Sequence, residues 1–146
     1  MMGKIAKKGE RVMVNQISIY AENTKGAMGK ITALLAAENI DIETLMANDS
    51  AEFGIIRMLI PETERAVQVL KKAGYLVRTE QVLSVEMKDQ PGGLDAILKD
   101  LQAGNINIDY IYISYDRKTS TPMAIIRTQD ISEVELCLQS YGHQMR

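Results

Sequence analysis

The residues whose types and spacing carry most chemistry are Lys88-Asp89-Gln90-Pro91-Gly92-Gly93-Leu94, near the middle of the chain. An apolar run, Val82 to Met87, leads in, and the periodic residues Leu94, Ile97, Leu98 and Leu101 lead out. That pattern predicts a strand, a tight Gly/Pro loop and a helix. Such a loop points successive backbone N–H groups outward at the helix start. These donors have no intrahelical acceptor and lie at the positive end of the helix dipole. The arrangement is a seat for a carboxylate or another small polar group. One loop of this kind is also a common tight turn without a ligand. A second copy, Asn23-Thr24-Lys25-Gly26-Ala27-Met28, stands earlier in the chain and strengthens the first reading.

The second copy belongs to a longer repeat. Without gaps, Ile17 to Met46 lies over Leu83 to Tyr112. Identical pairs include Ser18/Ser84, Gly26/Gly92, Ile31/Ile97, Leu35/Leu101, Ala37/Ala103, Asn39/Asn105, Ile40/Ile106 and Ile42/Ile108. Glycines and asparagines match as well as apolar residues, which two unrelated amphipathic segments would not require. The repeat resumes at Gly54-Ile55-Ile56-Arg57 over Ala124-Ile125-Ile126-Arg127, with an insertion around Arg117 to Thr121 in the second copy. Leu70 and Gly74 then match Leu138 and Gly142.

The elements that position the loops follow from periodicity. Arg11 to Ala21 alternates as a strand. A helix runs from Ala27 to Glu38, with Met28, Ile31, Leu34 and Leu35 as its buried stripe. Asn39 stops it, because Asn tolerates the left-handed conformation of a helix C-cap. Ile40 to Met46 reads as strand two, Asn48-Asp49-Ser50 as a turn and Phe53 to Ile60 as strand three. Pro61 to Glu64 opens a helix with acidic residues, and Gly74 closes it. Tyr75 to Lys88 must hold strand four of the first copy and strand one of the second, with no flexible linker. The second copy repeats the plan: helix Leu94 to Ala103, strand Ile106 to Tyr115, strand Pro122 to Thr128, and a last helix opened by a Ser132/Glu135 capping box. Only Gly142 to Arg146 remains for a last strand, so the arm at about Glu10 to Val14 is expected to cover the vacant edge, in cis or from a second chain.

Each copy is therefore expected to be a ferredoxin-like βαββαβ unit of an α+β fold. Residues 11–80 form repeat one, 81–146 repeat two, and 1–10 a polar N-terminal extension. Side-by-side pairing of the copies would give an eight-stranded antiparallel sheet with four helices on one face. A unit this small has a marginal core alone and needs a partner.

Composition narrows the function classes. The chain has 146 residues, 46% hydrophobic and 25% charged, which fits an ordinary globular protein. A net charge of −2 and a single Phe argue against a nucleic-acid surface, although RNA-binding domains share this topology. No run approaches roughly 20 apolar residues, so no membrane span is expected. A basic N-terminus without an apolar follow-on is not a secretory signal. A lone cysteine fits a reducing cytosol. There is no Cys/His pair, no Ser/His/Asp set and no metal-ligand cluster, so catalysis, cofactor and metal are not expected. Cys137 reads as a core thiol and His143 as a surface residue. Arg57 and Arg127, matched between the copies, read as solvated sheet-face charges, with inter-copy pairing as the alternative. Tyr110, Tyr112 and Tyr115 alternate on one sheet face, most often packing or an oligomer surface and less often a pocket wall.

The two loops and the Asn-Ile-x-Ile runs, Asn39-Ile40-Asp41-Ile42 and Asn105-Ile106-Asn107-Ile108, resemble the ACT domain, a ligand-binding regulatory module of amino-acid metabolism. The chain from about residue 12 onward looks like a stand-alone tandem ACT protein. Asp89 to Leu94 matches the family loop well; Asn23 to Met28 matches with Lys25 in place of Pro. The resemblance implies a cytoplasmic, non-enzymatic amino-acid sensor, a homodimer, and a regulated enzyme as partner. The alternative is an interaction subunit without a functional ligand site. It also implies ligand sites between copies. One would join Asn23, Lys25, Gly26, Ala27 and Met28 to Ile108, Asp109 and Tyr110. The other would join Asp89, Pro91, Gly92, Gly93 and Leu94 to Ile42, Glu43 and Thr44. Loop amides would take the ligand carboxylate and Asp89 its ammonium; Lys25 makes the two sites unequal.

Overall fold

The computed structural model describes residues 14–49 and 53–146. Most of the N-terminal arm expected to cover a sheet edge, and Ser50 of the expected turn, lie outside the described residues. The elements are β1 (Val14–Glu22), α1 (Ala27–Ala37), β2 (Thr44–Asp49), β3 (Phe53–Leu59), α2 (Thr63–Lys72), β4 (Leu76–Glu86), α3 (Gly93–Ala103), β5 (Tyr110–Tyr115), β6 (Pro122–Arg127) and α4 (Ile131–Ser140). The strand order is β2-β3-β1-β4-β6-β5. The described residues thus form six strands, where the sequence suggests eight. Two causes account for the difference. No breaker separates Glu80 from Gln81, so β4 runs continuously through both expected strands. The expected last strand is reduced to a single bridge, Val85 to Met145.

Two compact units divide the chain, one formed by Asn15–Glu80 and the other containing Gln81–Arg146. In the first, β3 pairs antiparallel with β1 and β2, and Ile19 faces Ile56 while Ala47 faces the same Ile56 from the other side. Ile17, Ile19, Ile56 and Met58 of the strands close on Ile31 and Leu35 of α1 and Ala66 and Leu70 of α2. The second unit repeats this with Leu83, Val85, Ala124 and Ile126 against Ile97, Leu101, Val134 and Leu138. Apart from Met58 and Ala124, these are matched positions of the sequence repeat. Alternation puts them on one sheet face, and helical spacing aims α1 to α4 at that face.

The four helices end alike. Residues Asn39, Gly74, Asn105 and Gly142 all have positive φ, 56°, 93°, 54° and 87°. Each helix closes with paired bonds such as Asn39 N to Ala36 O and Ile40 N to Leu35 O, the Schellman pattern. Strand two begins later than alternation suggests, at Thr44 and Tyr110 instead of Ile40 and Ile106. After the cap, Ile40 is an anchor in the first core and Ile106 packs half-buried against the second. The ladder starts only where Glu43 N meets Leu59 O and Asp109 N meets Arg127 O. The cap of α4 is Asp130, which accepts from Glu133 N; Ser132 lies inside the helix. Met28, expected in the core, is 42% exposed, because it stands at the helix mouth.

Candidate functional site

The two loops have the same backbone. In the first, Thr24 N donates to Glu22 O, Ala27 N to Thr24 O and Lys30 N to Gly26 O. In the second, Gln90 N donates to Lys88 O, Gly93 N to Gln90 O and Ala96 N to Gly92 O. Gly26 (φ 81°) and Gly92 (φ 88°) are the N-caps of α1 and α3, both left-handed. That conformation suits glycine, and glycine brings no side chain to cap the helix. Neither N-terminus has a side-chain cap bond, whereas α4 has one from Asp130. The amides at the second and third helical positions, Met28 and Gly29 in α1 and Leu94 and Asp95 in α3, are therefore not capped by their own N-cap residue. A positive dipole end whose N-cap residue adds no side-chain bond is a seat for an anion.

The loops differ in tightness. A Cβ on Gly93 would come within 2.1 Å of Lys88 O, so the second loop admits only glycine there. The first loop carries Ala27 at the matching position. Asn23, Lys25, Gly26 and Met28 are exposed and Ala27 is half-buried. Asp89, Pro91 and Gly92 are exposed, Leu94 is half-buried and Gly93 is buried.

The other expected site residues lie elsewhere in each unit. Ile42 and Glu43 precede β2, and Thr44 is its first residue. Thr44 is level with Leu59, which faces Gln16 of β1. From Gln16 to the loop at Asn23 the strand spans about 20 Å at the usual rise. The second unit repeats the separation: Ile108 and Asp109 precede β5, and Tyr110 opens it opposite Arg127. Within a unit, then, a loop and its own strand-two segment are held apart. Asp109 accepts a bond from Gln129 Nε2 at 3.0 Å, and Tyr110 stacks on Tyr112 with ring centroids 6.4 Å apart.

Four features add to or differ from the sequence reading. An open depression of about 350 Å³ is lined by Leu98, Leu101, Gln102, Asn105, Ile106, Asn107 and Ile108. It contains Ile108 but none of the loop residues Asp89 to Leu94. His143 is no free surface residue: its ring bonds the Asp100 carboxylate and its side chain is 16% exposed. Cys137 is half-buried, with Sγ donating to Asp100 O at 3.6 Å. Burial, then the nearby Asp100 and Glu133 carboxylates, push its thiol pKa up. Arg57 and Arg127 are half-buried. Among the described residues no group of three or more His, Cys, Asp or Glu could hold a metal, and no helix is long and apolar enough to cross a membrane.

A family model described as an ACT domain pair matches residues 12–136. The structure is similar to that of protein BT0572 from Bacteroides thetaiotaomicron, with TM-score 0.84 and 26% identity over 92% of both chains. It also resembles the ligand-free regulatory subunit of aspartate kinase from Thermus thermophilus, with TM-score 0.64 and 13% identity over 97% of this chain and 99% of that one. The corresponding subunit from Thermus flavus gives TM-score 0.59 at 12% identity, over 97% of this chain and 99% of that one. No curated protein matches the chain. With the duplicated loop, the matched helix ends and a family match over most of its length, the chain belongs to the ACT domain pair family.

Proposed function

We propose that the chain is a non-enzymatic regulatory protein that binds a free amino acid. The observation that carries this reading is the duplicated loop: the same three backbone bonds and the same left-handed glycine lead, in both units, to a helix start without a side-chain cap. The ligand carboxylate rests on the amides at the starts of α1 and α3. Asp89 receives the α-ammonium at the second loop. Asn23 takes the matching place at the first, where Lys25 adds a positive charge and favours a ligand with a second carboxylate. Ile42 to Thr44 and Ile108 to Tyr110 supply side-chain contacts from a neighbouring copy. Side-by-side pairing of copies, a homodimer, a cytoplasmic setting and a regulated enzyme partner belong to the same reading.

Thermal shift with each of the twenty amino acids tests it. At millimolar concentration at least one should raise the melting temperature, by mass action on the native state. A flat panel, together with one specific partner recovered by affinity capture, would instead favour an interaction subunit.

A further inference from the structure

In the second unit the 142–146 segment touches both arms of the loop at Asp89 to Leu94. On the strand entering the loop, Glu86 N donates to Gln144 O at 2.8 Å and Arg146 N donates to Ser84 O at 2.8 Å. Val85 and Met145 form a bridge between those bonds. On the helix leaving the loop, the His143 ring bonds Asp100, in the third turn of α3. The Met145 side chain is 1% exposed and lies in the same core cluster as Ile97 and Leu101 of α3. One short segment thus holds β4 and α3 at once.

The spacing of those two arms decides the loop. Lys88 O, at the end of the strand arm, sits where a Cβ of Gly93, at the start of the helix arm, would be. Between the two arms Gln90 N donates to Lys88 O, Gly93 N to Gln90 O and Ala96 N to Gly92 O.

We propose that residues 142–146 are a strap that sets the geometry of the second loop, with His143–Asp100 as its latch. Among the described residues the first loop has no equivalent strap. The matching place beside β1 is taken by β4, its neighbour in the strand order. The strap is held by the Glu86–Gln144 and Arg146–Ser84 backbone bonds around the Val85–Met145 bridge, by the buried Met145 side chain and by the His143–Asp100 contact. Freeing the strap would therefore alter the second loop and leave the first as it is. That the strap controls ligand capture rests on the reading given under Proposed function; that it sets the loop geometry does not.

Amide hydrogen exchange on the full chain without ligand tests the strap. In His143→Ala, and independently in Met145→Ser, exchange at Glu86, Gly93 and Ala96 should accelerate about tenfold. Ala27 and Lys30 of the first loop should stay within about twofold of the parent, as the internal control. Faster exchange at Glu86 without a change at Gly93 and Ala96 would overturn the proposal. So would equal acceleration of both loops, which is general destabilisation, or an unaltered Glu86 in both variants.

Discussion

Asn39 and Asn105 hold the same left-handed backbone, φ 56° and 54°, at the ends of α1 and α3. They are the same position of the repeat, and each lets the next isoleucine close the helix, Ile40 N on Leu35 O and Ile106 N on Leu101 O. A Cβ-bearing residue without a side-chain amide is strained in this conformation by about 1–2 kcal/mol. Asn39→Ala and Asn105→Ala should each lower stability by about 1 kcal/mol in urea denaturation, while the Gly variants should be near neutral or stabilising. The test also decides the role of these residues, because a ligand-contact asparagine would lose binding without losing stability.

Gly93 should tolerate nothing larger. Its added Cβ would meet backbone, Lys88 O, and not a side chain that can swing away. Gly93→Ala should cost about 1–3 kcal/mol, the range for forced overpacking. The mirror change, Ala27→Gly, removes a half-buried methyl from a helix start and should cost under about 1 kcal/mol. Equal costs in chemical denaturation would mean that the two loops are equally tight.

The contrast between these loops shows how far the sequence could be read. The duplication, both loops and the helix stops at Asn39 and Gly74 are legible, because glycine, asparagine and apolar spacing carry them locally. The start of strand two is not. Ile40 and Ile42 alternate whether the chain is in a ladder or crossing a core, and only the position of Leu59 decides. His143 was misread for a similar reason. Its partner Asp100 is distant in sequence, and nothing near His143 announces it. The merging of two expected strands into β4 turns on an absence, the lack of a breaker at Glu80-Gln81.

Cys137 makes stability fall in alkali. Its thiol pKa is raised first by burial and then by Asp100 and Glu133. A raised folded-state pKa means that the folded protein holds this proton more tightly than the unfolded chain. The resulting stabilisation is fully present below the ordinary thiol pKa and is lost as pH rises through the raised value. Urea midpoints measured from neutral pH to pH 10 should fall less steeply in Cys137→Ala than in the parent. Alkylation of the native thiol at pH 8 should be slower than that of the unfolded chain, and equal rates would remove the argument.

The helix starts offer the sharpest discrimination of the proposed ligand seat. Gly26→Asp and Gly92→Asp each place a carboxylate at an N-cap, where it can accept from the second or third helical amide. Asp also tolerates the left-handed backbone better than most residues, so the strain and the new cap should offset within about 1 kcal/mol. The variants should therefore fold, while the side chain occupies the donors assigned to the ligand carboxylate. If an amino acid binds at both loops, each variant should remove about one of two equivalents in calorimetry. If it binds at one, a single variant should abolish the signal and the other leave it intact. Undiminished binding in both variants would show that the carboxylate does not sit on the α1 and α3 amides.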